Sequence, residues 1–265
     1  ELKTVVVNTT VFRYVDVWSC LENCVLCYNG NMNNSEWSVL DLGQNTIVSH
    51  ELKSPLALIR QMSLFLAQNQ LEPAKTQRYL QQIVATSERA LRLTNGLSRL
   101  ANLDQLPLNL EPINVAELCK QVELELNPLF KLHQKRLLVR KKRRQYLAVA
   151  DHFLLKSVLI QFCDNALHYA DARHPVKIEI AQTKQAIRVS VKDRGPRLPT
   201  AVWRQLNANR LAPQAIASRP QSSGIGLCIA QQFAEAMSAH IGAQSHTDGV
   251  SFYIDLMVSN QLSLL

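Results

Sequence analysis

At 265 residues the chain is long enough for about two domains, and 47% hydrophobic with 19% charged residues excludes a disordered or fibrous protein. Its net charge of +8 favours an anionic partner such as nucleotide, nucleic acid or membrane surface. No run of about 18 apolar residues occurs, so no membrane-spanning helix is expected, and no secretory signal pattern is visible. The chain opens on Glu1, and a missing upstream segment is expected.

Residues 1–44 form a segment of their own, a sensor remnant or linker, with β-rich runs at 4–7 and 11–17 and an Asn- and Gly-rich loop behind them. Cys20, Cys24 and Cys27 have a spacing that resembles the cluster motif of radical S-adenosylmethionine enzymes, where three thiolates hold a [4Fe–4S] cluster. Those enzymes need a large α/β barrel after the motif. A fortuitous spacing therefore ranks first, a metal or cluster input site second, and radical chemistry third. Cys119, Cys163 and Cys228 fall among apolar residues on expected helices and read as small buried hydrophobes. No disulfide framework emerges, which fits a reducing cytoplasm.

A helical hairpin is expected over 45–106. Leu52, Leu56, Ile59, Met62 and Leu66 recur at helical spacing, and Leu80, Ile83, Val84, Ala90, Leu91, Leu97 and Leu100 stripe the second helix. A lone hairpin cannot bury both stripes, whereas two hairpins paired as a four-helix bundle can. The first helix carries Ser49-His50-Glu51-Leu52-Lys53-Ser54-Pro55-Leu56. By itself His50 reads as a surface histidine. Its carboxylate neighbour also suits a nucleophilic imidazole whose proton Glu51 would take.

A second domain is expected over 108–258, with a short tail at 259–265. Asn114 and Glu117 cap a helix running to about residue 132. Residues 137–140 and 147–150 read as a β-hairpin with basic residues of the 135–144 run at its tip. A helix over 152–169 carries Asp164-Asn165-Ala166-Leu167-His168-Tyr169. Alternating strands at 176–181 and 186–191 lead to Asp193-Arg194-Gly195. A polar loop follows, then Ser222-Ser223-Gly224-Ile225-Gly226-Leu227 opening a helix, then strands at 240–244 and 250–256. Singly, these are a surface amide, a turn signal and a weak glycine pair.

The octapeptide around His50 resembles the H-box of two-component sensor histidine kinases at every position. The 165, 193 and 224–226 motifs, in order and at family spacing, resemble the N, G1 and G2 boxes of the Bergerat (GHKL) ATP-binding fold. The resemblance implies an α+β protein: a hairpin forming a dimeric four-helix bundle, then a GHKL-type α/β sandwich. It implies ATP and Mg²⁺, with Asn165 as the Mg²⁺ ligand and Asp193 reading the adenine amino group. Gly195 lets the backbone approach the base, His168 and Tyr169 flank the nucleotide, and Ser223, Gly224, Gly226 and Leu227 sit at the phosphates. His50 would accept the γ-phosphoryl, with Glu51 as base and Ser54 where the family places a residue that aids phosphatase activity. The implied partners are a second copy and a response regulator. Nucleic acid is not expected, and membrane contact is expected only through an upstream segment, the core lying in the cytoplasm or on the cytoplasmic side of a tethered sensor.

Gln161, Arg197 and Ser222 depart from the family boxes, and a lysine is commoner than histidine at position 168. The lid between Pro199 and Ser222 is short and has no phenylalanine-rich box, for which Trp203 or Leu206 would substitute. The altered lid and Arg197 make a nucleotide-binding scaffold of the same fold, with weak or no turnover, the alternative.

Overall fold

A computed structural model describes residues 43–103, 105, 107–140, 146–183, 185–198, 200–208 and 225–259. The expected strands at 4–7 and 11–17, Cys20, Cys24, Cys27, the basic residues 141–144, Ser223 and Gly224 lie outside the described residues.

Two long helices come first, α1 (Gly43–Gln68) and α2 (Pro73–Ala101). Pro73 at the start of α2 is well placed, because the first turn has no use for its missing N–H. Pro55 lies inside α1. Phe65 and Tyr79 pack near the turn, with ring centroids 5.2 Å apart. Leu56, Leu58, Leu64, Leu80, Val84 and Leu91 are exposed.

The rest of the chain runs β1 (Glu111–Asn114), α3 (Val115–Leu132), β2 (Leu137–Val139), β3 (Leu147–Ala150), α4 (His152–Tyr169), β4 (Val176–Gln182), β5 (Ala186–Asp193), α5 (Thr200–Asn207), α6 (Ile225–Ala236), β6 (His240–His246) and β7 (Gly249–Met257). Asn114 caps α3, its side chain accepting from the Ala116 and Glu117 amides. Five strands form one sheet in the order β2-β4-β5-β7-β6. β2 and β4 are parallel and the other pairs antiparallel. Alternation along β5 turns Ile187, Val189 and Val191 inward, as a sheet with one covered face requires. Helices α3, α4 and α6 cover that face, and Phe130, Phe162 and Phe233 are fully buried in the layer between.

The expected β-hairpin at 137–140 and 147–150 does not form. β2 joins the large sheet beside β4, while β3 pairs antiparallel with β1 as a separate two-stranded sheet. Each short strand goes where its apolar side is covered: Leu137 enters the main core, and Ala148 and Ala150 are buried. The loop expected after Asp193 contains α5. Its Asn207 side chain donates to Ala243 O and accepts from Ala243 N, and Trp203 Nε1 donates to the same carbonyl. These side chains occupy backbone groups that the edge strand β6 would otherwise leave open.

Cys119 and Cys163 are buried and Cys228 half-buried. Burial pushes the Cys119 thiol up to about 12, so it packs as an apolar group. Among the described residues no helix is long and apolar enough to cross a membrane.

Phe162 stacks on Phe252, joining α4 to the sheet with ring centroids 5.8 Å apart. Phe162→Ala is expected to lower unfolding free energy by about 3–5 kcal/mol. Denaturant unfolding checks this, and a loss below about 1 kcal/mol would mean the layer repacks at little cost.

Candidate nucleotide site at the end of the capped helix

The Asp151 carboxylate caps α4, accepting from the Phe153 and Leu154 amides at 3.0 Å each. The helix buries Leu155, Leu159, Phe162 and Ala166. That leaves Gln161, Asn165, His168 and Tyr169 half-buried, at spacings that put them on one stripe. The Asn165 amide has no hydrogen-bond partner among the described residues.

β5 delivers Asp193 to the end of that stripe, 4% exposed. Its Oδ1 accepts from the Gly195 amide at 2.6 Å. Gly195 passes so close to the end of α4 that a Cβ there would lie 2.6 Å from the Tyr169 carbonyl oxygen. The Asp171 amide donates to Arg194 O at 3.3 Å, joining the end of α4 to the turn after β5. Gly249, the first residue of β7, closes the far side. A Cβ on it would collide with the Asp193 carbonyl oxygen and sit 2.8 Å from Arg194 Cα.

The start of α6 meets the same stripe. A side chain on Gly226 would run into Gln161 Oε1, so this helix end lies beside the stripe. Leu227 is buried, its side chain packing into the core. Asn165, His168, Tyr169, Asp193, Gly195 and Gly226 are thus brought together. A lone amide oxygen suits Mg²⁺, which retains water and substrate phosphates in place of an all-protein cage. Among the described residues no group of three or more His, Cys, Asp or Glu is arranged for a metal.

The flank of the site is basic. α3 ends with His133 and then Gln134 at φ 56°. The Lys135 amide reaches back to Phe130 O and the Gln134 amide to Lys131 O, the Schellman pattern. This turn aims Lys135 Nζ at Leu167 O, 2.5 Å away, in the last turn of α4. Burial, then Arg89, His133 and Lys135, hold the His168 imidazole down at about 4. It is neutral at pH 7, and its Nε2 is buried without a partner among the described residues. Burial pushes the Asp164 carboxyl up, while Arg92 and Arg89 pull it back and Glu125 adds to the rise.

His50 lies on α1, with Glu51 half-buried and Ser54 exposed beside it. Counting back from the Phe65–Tyr79 contact at equal rise per residue, an antiparallel hairpin sets His50 level with Thr94 on α2.

Sequence reasoning missed Gly249, Lys135, Asp164 and Arg92. A glycine opening a strand is a usable signal for Gly249. The other three act through partners distant in sequence and leave no local pattern.

The fold and site define a two-part assembly, a helical hairpin followed by a Bergerat-type ATPase domain. Comparison with known proteins agrees. Residues 43–106 match the His Kinase A (phospho-acceptor) domain, and residues 150–260 match the histidine kinase-, DNA gyrase B-, and HSP90-like ATPase family. The chain is 28% identical over 210 residues to the sensor protein CutS of Streptomyces coelicolor, covering 76% of this chain and 49% of that protein. Among solved structures, full-length ShkA in complex with AMPPNP superposes with a TM-score of 0.56 at 21% identity, covering 84% of this chain and 47% of that one. Histidine kinase ThkA in complex with response regulator TrrA gives 0.58 at 17% identity, covering 95% and 67%. The chain belongs to the two-component sensor histidine kinases, and it spans about half the length of CutS.

Gly249→Ala sets a methyl group against backbone atoms that cannot swing away. It is expected to lower stability by on the order of 2 kcal/mol or more and to disturb the Asp193 turn, read by thermal unfolding. An unchanged melting temperature would contradict the close approach. A second expectation follows from His168. Its folded pKa lies below the unfolded value, so the unfolded chain binds more protons between about pH 6.5 and 4, and stability falls as pH falls through that window. His168→Gln should remove on the order of 2–3 kcal/mol of that loss. Equal acid sensitivity in both proteins would contradict the assignment.

Proposed function

We propose that this chain is the catalytic core of a sensor kinase that transfers the γ-phosphoryl group of ATP to His50. The observation that carries this reading is the convergence of Asn165, Asp193, Gly195 and the start of α6 on one stripe of α4, in a chain that also bears the His50 octapeptide. The carboxylate of Asp193 accepts from the adenine amino group, and Gly195 leaves room for the base. The Asn165 amide oxygen would hold Mg²⁺, which supplies charge neutralisation at the phosphates when bound. Gly226, at the start of α6, would present its amide to the phosphates, and the family resemblance assigns Ser223, Gly224 and Leu227 to the same phosphate box.

In the transfer, an imidazole nitrogen of His50 forms a bond to the γ-phosphorus as the bond to the β,γ-bridging oxygen breaks. ADP leaves, and Glu51 takes the imidazole proton. Ser54 stands where the family often has a Thr or Asn that aids phosphatase activity, and it would serve that opposing, hydrolytic reaction. The phosphoryl group then passes to an aspartate of a response regulator; ThkA was solved with such a protein. Exposed Leu56, Leu80, Val84 and Leu91 call for a second hairpin, so the working unit is a homodimer. Its compartment is the cytoplasm, where ATP and receiver domains meet. The hairpin core is assigned to 45–106 and the ATP domain to 108–258, with 1–44 as input segment or linker.

One observation favours the scaffold alternative: His168 stands neutral where the family commonly has lysine. Labelling with γ-labelled ATP beside a nucleotide-binding assay separates the two. Wild type should label; His50→Gln should bind nucleotide yet lose labelling; Asn165→Ala should lose Mg²⁺-dependent labelling. Binding without labelling in wild type would establish the scaffold, and unchanged labelling of His50→Gln would refute His50 as acceptor.

A further inference from the structure

The second hairpin helix has two working faces. Leu80, Val84 and Leu91 are exposed on one. Arg89, Arg92, Leu93, Gly96, Leu97 and Leu100 recur at helical spacing on the other, and Leu93, Leu97 and Leu100 pack against the core of the ATPase domain. Gly96 is buried, and a Cβ there would rest 3.5 Å from Ile229 Cδ1 of α6. One turn further on, the Arg99 guanidinium sits 3.9 Å over the Phe153 ring at the start of α4.

Arg92 makes the polar contact of this seat. Its Nη2 lies 3.8 Å from Asp164 Oδ1, with side chains 19% and 11% exposed. Arg92 Nε and Nη2 and Asp164 Oδ1 are buried and have no hydrogen-bond partner among the described residues. A buried pair this long gives little net stability, and its clearest use is to specify geometry. Its location gives that geometry a purpose. Asp164 directly precedes Asn165, and Arg92 lies within one helical turn of the height of His50 in the hairpin register set by Phe65 and Tyr79. A twofold axis along the bundle keeps that height for a second copy.

We propose that Arg92 is a positioning residue: through Asp164 it seats the ATPase domain on α2 at the height of the phospho-acceptor histidine. Arg92 belongs to none of the nucleotide boxes, so it acts on transfer and not on nucleotide binding. The proposal rests on the kinase reading, and its test carries a readout independent of it.

The test uses the full chain as wild type, Arg92→Met and Arg92→Lys. Arg92→Met keeps the length of the side chain and removes its charge. At saturating Mg-ATP its labelling rate should fall at least about tenfold, with ADP affinity within about twofold of wild type. Arg92→Lys should recover most of the rate. Hydrogen exchange across residues 89–97 should quicken in Arg92→Met and not in Arg92→Lys. Unchanged labelling and exchange in Arg92→Met would overturn the proposal, as would a loss of ADP affinity parallel to the loss of rate. If wild type does not label, the kinase reading fails on its own, and the exchange comparison still decides whether Arg92 holds the seat.

Discussion

Everything at the site depends on one close approach, that of Gly195 to the carbonyl at the end of α4. A single methyl group there would stand 2.6 Å from the Tyr169 oxygen, well inside contact distance. The missing side chain lets the strand that ends in Asp193 and the helix that carries Asn165 meet without a gap. The Asp171–Arg194 hydrogen bond and the bare face of Gly249 hold the turn from two further sides. The result is a carboxylate of fixed direction, buried but supplied with a donor in the Gly195 amide, as a buried polar group requires.

The second constraint is electrical. Arg89, Arg92, His133, Lys135 and His168 crowd the flank of α4, near the buried carboxyls of Asp164 and Asp193. Like charges packed this way disfavour each other, and burial adds to the effect. His168 resolves the conflict by staying neutral, and Lys135 by donating to a helix-end carbonyl, where a cation is favoured. The net charge of +8 is thus partly spent inside the fold, at the joint between hairpin and ATPase domain.

Much of this was legible in the sequence because it is local. The helix expected over 152–169 is the helix observed, since a capping aspartate and a continuous apolar run announce it. The alternating strands β4, β5 and β7 follow their period. Asp193, Gly195 and Asn165 stood out through motif spacing. What escaped was choice of partner. Three- and four-residue strands at 137–139 and 147–150 carry no signal saying which edge they will join. Leu80 and Leu91 lie on one face of α2 and Leu97 and Leu100 on another, and apolar period alone cannot say that the second face meets another domain. The Arg92–Asp164 contact pairs residues that nothing in the local pattern connects.

The most direct measurement is a crystal structure of the chain with Mg²⁺ and a non-hydrolysable ATP analogue. The account predicts the adenine amino group on the Asp193 carboxylate, the metal on the Asn165 amide oxygen and the phosphates at the start of α6. A nucleotide bound elsewhere, or no binding at this stripe of α4, would contradict it.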